Sequence, residues 1–177
     1  MRMNHSKFLV GVCLMVIAAL PGLLAADEGQ TVAAVDFNKL VALLATPPAG
    51  FTPVGRAEGS KLDMGMGSWS TAVREFKKGQ KRVKISILDG AYVEQAYAAF
   101  NALKMFSYET SDGFVKGVTI KGHAGIRQQE NRSKKHTVML LVANRFLVQW
   151  EGKKLASMDE LDSIVNGFDF SGLDALK

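Results

Sequence analysis

Imidazoles are scarce in this chain: beyond residue 26 only His123 and His136 remain. No serine, histidine and aspartate fall in a triad or nucleophile-elbow pattern, and no two histidines stand at metal-ligand spacing. His123 lies in a glycine-flanked segment and His136 follows Lys134 and Lys135, so both read as surface turn residues. A softer ligand set is Met64-Gly65-Met66, with Asp63 alongside. Thioethers suit Cu(I), but such a site needs a third methionine or a histidine, and none is near in sequence. The same side chains serve equally as adaptable packing or contact residues. Met64 and Met66 are thus the candidate metal residues, and no cofactor is expected.

Gly65-Met-Gly67 before Ser68 and Ser70 resembles a phosphate loop. A dinucleotide fingerprint needs a strand before it and a helix after it, whereas here a strand follows. Two basic groups remain, one from Arg74 to Lys84 and one of Arg127, Arg132, Lys134 and Lys135. If the strands of residues 68–88 are neighbours, Arg74, Lys78 and Lys84 are candidates for one basic contact face toward an anionic lipid, glycan or acidic protein. The plainer reading is a solvated edge whose lysines discourage strand addition. Asp159, Glu160 and Asp162 open a helix, where carboxylates complement the dipole without any catalytic role. Asn131-Arg-Ser133 matches a glycosylation sequon.

The elements that position these residues follow from periodicity. The segment from His136 to Trp150 places Val138, Leu140 and Val142 on one side and Met139, Leu141 and Ala143 on the other. Both sets are apolar, which predicts a central strand covered on both faces. Asn144-Arg145 then reads as a hairpin turn before Phe146, Val148 and Trp150, although arginine is a poor second turn residue. Earlier in the chain, Asp36 caps a helix to Leu44, with Val35 and Leu40 at staple spacing, and Pro47-Pro48 stops it. Strands are expected from Phe51 to Leu62 at an edge, Ser68 to Phe76, and Lys81 to Ile87. Asp89 is expected to cap a helix over residues 91–104, whose stripe is Val93, Ala96, Tyr97, Phe100 and Leu103. Phe114 to Lys121 and Ala124 to Glu130 are two more strands, with Gly122-His123 between them. Ser157-Met-Asp-Glu160 has capping-box spacing ahead of a last helix. The expected core is Val83, Ile85, Ile87, Val93, Tyr97, Phe100, Val118, Ile120, Leu140, Val142, Phe146, Val148, Leu161, Ile164 and Phe168. The fold class is α+β: an antiparallel twisted sheet of six to seven strands with helices on its faces.

Arg2 and Lys7, the apolar run Phe8 to Leu20 and the small residues Ala25-Ala26 make residues 1–26 a secretory signal peptide, the alternative being an uncleaved anchor. Residues 27–34 read as a flexible leader, and 35–177 as one domain. Val12 precedes Cys13 inside the apolar run, so lipid attachment is not expected. After cleavage no cysteine remains, which excludes disulfides and thiol chemistry. Cleavage removes two basic and no acidic residues, so the formal charge falls from +5 to +3. That mild balance and an exported destination, periplasmic or extracellular, argue against nucleic acid as a partner.

The order of elements, with Pro48-Ala-Gly-Phe51, Ile120-Lys-Gly-His-Ala124 and Asn144-Arg-Phe-Leu-Val148 leading to Glu151-Gly152, resembles the Mog1/PsbP-like group. It is similar also to small bacterial envelope proteins sharing such strings. The resemblance implies a mostly non-enzymatic scaffold that binds partner proteins, and it transfers no residue role. The expected function is therefore an exported, non-catalytic binding module of the bacterial envelope that contacts a protein partner. A small-ligand or metal binder using the Met64-Gly65-Met66 loop is the alternative, and an enzyme with a pocket built from distant residues is the third.

Overall fold

Alternating apolar residues and short turns build one antiparallel sheet. The computed structural model describes residues 33–63, 67–90 and 105–177. The described elements are helix α1 (Phe37–Leu43), strands β1 (Thr52–Asp63), β2 (Ser68–Lys78), β3 (Lys81–Gly90), β4 (Ser107–Thr110), β5 (Gly113–Ile120), β6 (His123–Glu130), β7 (Lys135–Val142) and β8 (Phe146–Lys153), and helices α2 (Met158–Asn166) and α3 (Ser171–Asp174). The sheet order is β1-β2-β3-β8-β7-β6-β5-β4, with every neighbouring pair antiparallel. The protein is an α+β structure with an open sheet. Its eight strands among the described residues exceed the expected six to seven, because the four-residue β4 lacks the length that makes alternation visible. The helix expected over residues 91–104, with Val93, Tyr97 and Phe100, lies outside the described residues, as do Met64, Gly65, Met66 and the signal segment.

Register sorts the side chains onto two faces. Val83, Ile85 and Ile87 of β3 stand opposite Gly152, Trp150 and Val148 of β8, and Leu140 and Val142 of β7 stand opposite Val148 and Phe146. This face carries the described helices and the main core, in which Trp150, Phe76, Phe146, Leu40, Leu140, Leu161 and Leu173 are fully buried. Of the expected core, Val118, Ile164 and Phe168 are only partly buried against it. On the opposite face of β7, Leu141 and Thr137 are also buried, in keeping with an interior strand.

Helices α1 and α2 each have a local reason. The Asp36 carboxylate accepts the N–H of Asn38 at 2.8 Å, and Leu40 is buried four residues beyond the cap. α1 seats closely on β1 because Gly59 has no side chain: a β-carbon there would collide with Phe37 and Val41. For α2, the Ser157 hydroxyl accepts the N–H of Glu160 at 3.4 Å, and the Glu160 carboxylate takes the N–H of Ala156 at 2.8 Å. The return bond thus reaches one residue further back than in a standard capping box.

Two turns fall one residue earlier than expected. β5 and β6 are joined by Lys121-Gly122, with φ of 49° and 86°, and His123 begins β6. In the β7–β8 hairpin the positive φ values belong to Ala143 and Asn144, both 54°, and the Arg145 N–H donates to the Val142 carbonyl at 3.0 Å. Arginine therefore closes the turn without adopting a left-handed backbone.

Candidate functional site

Arg145 has a different task. Its Nε donates to Asp89 Oδ1 at 2.8 Å and its Nη2 to Asp89 Oδ2 at 2.9 Å, a two-pronged pair on a carboxylate that is 1% exposed. Asp89 also accepts the N–H of Val35 at 2.6 Å, Arg145 Nη2 donates to the Ala33 carbonyl at 2.9 Å, and the Ala34 N–H donates to Ser68 Oγ at 2.7 Å. The helix that Asp89 was expected to cap lies outside the described residues; within them Asp89 stands near the end of β3 opposite Phe146 and anchors the start of the described chain. Ala33 and Ala34, expected in a flexible leader, are held by the same network. The cue in the sequence was the arginine itself, unsuited to the turn's second position.

The basic residues do not assemble. Arg74 pairs with Ile85 and Lys84 with Glu75, so Arg74 faces the helices and Lys84 the opposite side. Arg74 donates to the Leu44 and Ala45 carbonyls at 3.0 and 3.5 Å, neutralising the C-terminal end of α1. Lys84 joins Glu75, Arg82, Glu151 and Lys153 around a shallow polar depression of about 200 Å³. There burial works to raise the Glu151 carboxyl, but Lys135 at 2.9 Å, Lys84 and Lys153 at 3.3 Å together hold it below its ordinary value. Lys78, on the face of Arg74, is exposed at the end of β2.

Neither histidine is a surface turn residue. His136 is buried within β7 on the helix-bearing face, its Nδ1 meets no hydrogen-bond partner, and burial lowers its pKa against a smaller opposing pull from Glu160. The His123 ring packs on Phe170 at 4.8 Å between centroids. Strand alternation, not the flanking lysines, decides the burial of His136. Two acidic residues of α2 are engaged by cations. Glu160 meets Lys81 at 2.7 Å, which with the Ala156 N–H holds its carboxyl below the usual range. Asp162 meets Arg127 at 3.0 Å, yet burial outweighs that cation and pushes its carboxyl up. Among the described residues no three His, Cys, Asp or Glu side chains gather as a metal site, and no helix is long and apolar enough to cross a membrane.

Two surfaces remain that local spacing did not announce. The first is the β4 end of the sheet, where Met105 is 96% exposed, Phe106 40% and Tyr108 45%. Among the described residues β4 pairs only with β5, so its outer edge presents backbone groups that no described strand pairs. The second is a trough of about 630 Å³ on the helix-bearing face. α1 packs on β1 and β2, α2 packs on β7 and β8, and β3 runs between the two pairs. The helices stand apart over β3, leaving Leu43, Phe51, Ile85, Ile164 and Phe168 to line the gap.

No protein-family model matches the chain, and no curated protein matches it. Among solved structures it is similar to an X-ray structure of an uncharacterized protein from Mycobacterium smegmatis. The TM-score is 0.40 at 11% identity, over 79% of this chain and 94% of that one.

Proposed function

We propose that this chain is an exported, non-catalytic binding module of the bacterial envelope, of Mog1/PsbP-like architecture, that contacts a partner protein through the β4 edge. The observation that carries the reading is the exposure of Met105, Phe106 and Tyr108 beside a strand edge left unpaired among the described residues. Aromatic residues and methionine are enriched at the cores of protein interfaces, and an open edge accepts an extended segment through main-chain hydrogen bonds. The opposite edge is less suited to this. In β1, Gly55, Arg56 and Ala57 bulge opposite the single residue Arg74, and Pro53 removes a donor. The basic residues earlier grouped as a contact face support the reading less, since Arg74 and Lys84 lie on opposite sides of the sheet.

The test is photo-crosslinking in envelope extract with a benzoylphenylalanine in place of Tyr108, beside a control carrying it at Lys84. A single protein crosslinked from position 108, absent from position 84 and lost with Phe106→Glu, is expected. No crosslinked partner, or equal products from both positions, overturns the proposal. Metal analysis of the same preparation, with and without Met64→Leu and Met66→Leu, decides the thioether alternative.

A further inference from the structure

We infer that the trough over β3 binds a free long-chain carboxylate, its acyl chain along the apolar floor and its carboxylate at Lys78. The site is separate from the β4 edge and does not rest on the partner reading. Its origin is topological: each helix covers its own strand pair, and neither covers the strand between them. The volume of about 630 Å³ lies within the roughly 300–1,000 Å³ of small-ligand sites.

The lining selects for a long apolar body. Leu43 lines it from α1, Ile164 from α2 and Ile85 from β3, with Phe51 just before β1 and Phe168 just beyond the C-terminal end of α2. Pro47 and Pro48 make one wall, offering no N–H to a polar ligand and little freedom to collapse inward. Phe168 is braced edge-on against the buried Trp150 at 5.3 Å, so the wall on that side is held open. Near Phe168, α3 approaches α1 closely, because a β-carbon at Gly172 would strike Leu43. That contact bounds the trough.

The charges select the head group and its direction. Three charged side chains line the trough: Lys78, Glu160 and Asp169. Glu160 is already held by Lys81 at 2.7 Å and by the Ala156 N–H at 2.8 Å. Asp169, beyond the other end of α2, accepts from Ser171 and lies near Lys121. Among the described residues Lys78 makes no close ion pair and no side-chain hydrogen bond; its charge reaches Glu160 only through space, behind that of Lys81. With Lys81 beside it, the Lys78 end carries a net positive charge, while the Asp169 carboxylate disfavours an anion at its own end. A carboxylate is therefore drawn to Lys78 and its chain laid toward Phe168.

The experiment is calorimetric titration of the purified protein with octanoate, decanoate and dodecanoate below their micelle concentrations. Dodecyl maltoside and dodecyltrimethylammonium serve as neutral and cationic comparators, and phosphatidylglycerol vesicles as the lipid arm. Saturable one-to-one binding of dodecanoate is expected, with affinity rising by up to about fourfold per methylene. Lys78→Ala, at an exposed position, should weaken dodecanoate at least fivefold and leave dodecyl maltoside unchanged. Ser163→Trp should fill the trough and weaken both, and amide NMR shifts should fall on Leu43, Ile164 and Phe168. Non-saturable binding, no dependence on chain length, or no response to Lys78→Ala overturns the proposal. So does binding of dodecyltrimethylammonium as tight as that of dodecanoate, or binding to vesicles alone.

Discussion

His136 is a residue whose charge state the fold constrains. Burial holds its pKa below the ordinary 6.5 and favours the neutral ring. Below pH 6.5 the unfolded chain takes up a proton at this position that the folded chain refuses, so stability must fall as pH drops. Urea midpoints measured from pH 7.5 to 5.5 should decline, and His136→Leu should flatten part of that decline. An unchanged slope in the variant would remove His136 from the account. The Asp89–Arg145 pair makes a second residue-scale expectation. Arg145→Met leaves a buried carboxylate with the Val35 N–H as its one remaining partner among the described residues, and should cost about 3–5 kcal/mol. The double variant Asp89→Leu with Arg145→Met should cost less than the sum of the single changes, because no charge is then stranded. Denaturant titrations of the three variants measure the difference.

Among the elements, α2 is the one whose sequence signal and structure agree most closely. Ser157→Ala removes the acceptor for the Glu160 N–H and should destabilise by about 1 kcal/mol. Glu160→Gln should cost less, since its partner Lys81 is about a third exposed and water replaces much of that attraction. A larger loss for Glu160→Gln than for Ser157→Ala in thermal melts would mean that the ion pair, not the cap, holds the helix. The two sheet edges differ in the same physical terms. β1 is blunted by a bulge, a proline and charges, whereas β4 is short and carries Tyr108, with Phe106 just before it. A short strand limits the danger of open pairing while leaving room for a chosen partner.

At the scale of the whole molecule, one core joins the sheet to all three described helices, with Leu140 and Trp150 fully buried in it. Leu140→Ala should therefore destabilise by about 2–5 kcal/mol. A loss below about 1 kcal/mol would be incompatible with the register of β7 against β8. Export makes the other molecular expectation. The intact mass of protein from the envelope fraction should begin near Ala26 or Asp27, and a mass retaining residues 1–25 in salt-washed membranes would count against a cleaved signal.

What the sequence determined by itself was everything set by neighbours in the chain. Two-residue alternation made β3, β7 and β8 legible along with the face that each buries, and the capping residues Asp36 and Ser157 marked two helix starts. β4 was missed because four residues are too few for alternation to stand out. The turns at Lys121-Gly122 and Ala143-Asn144 slipped by one residue because cross-strand register, not the turn residues alone, chooses which backbone turns left-handed. Only the tertiary structure separated Arg74 from Lys84, since strand pairing decides which residues share a face. It alone buried His136, brought Asp89 to Arg145 and opened the trough over β3, because each depends on parts of the chain that meet only when the sheet closes its order.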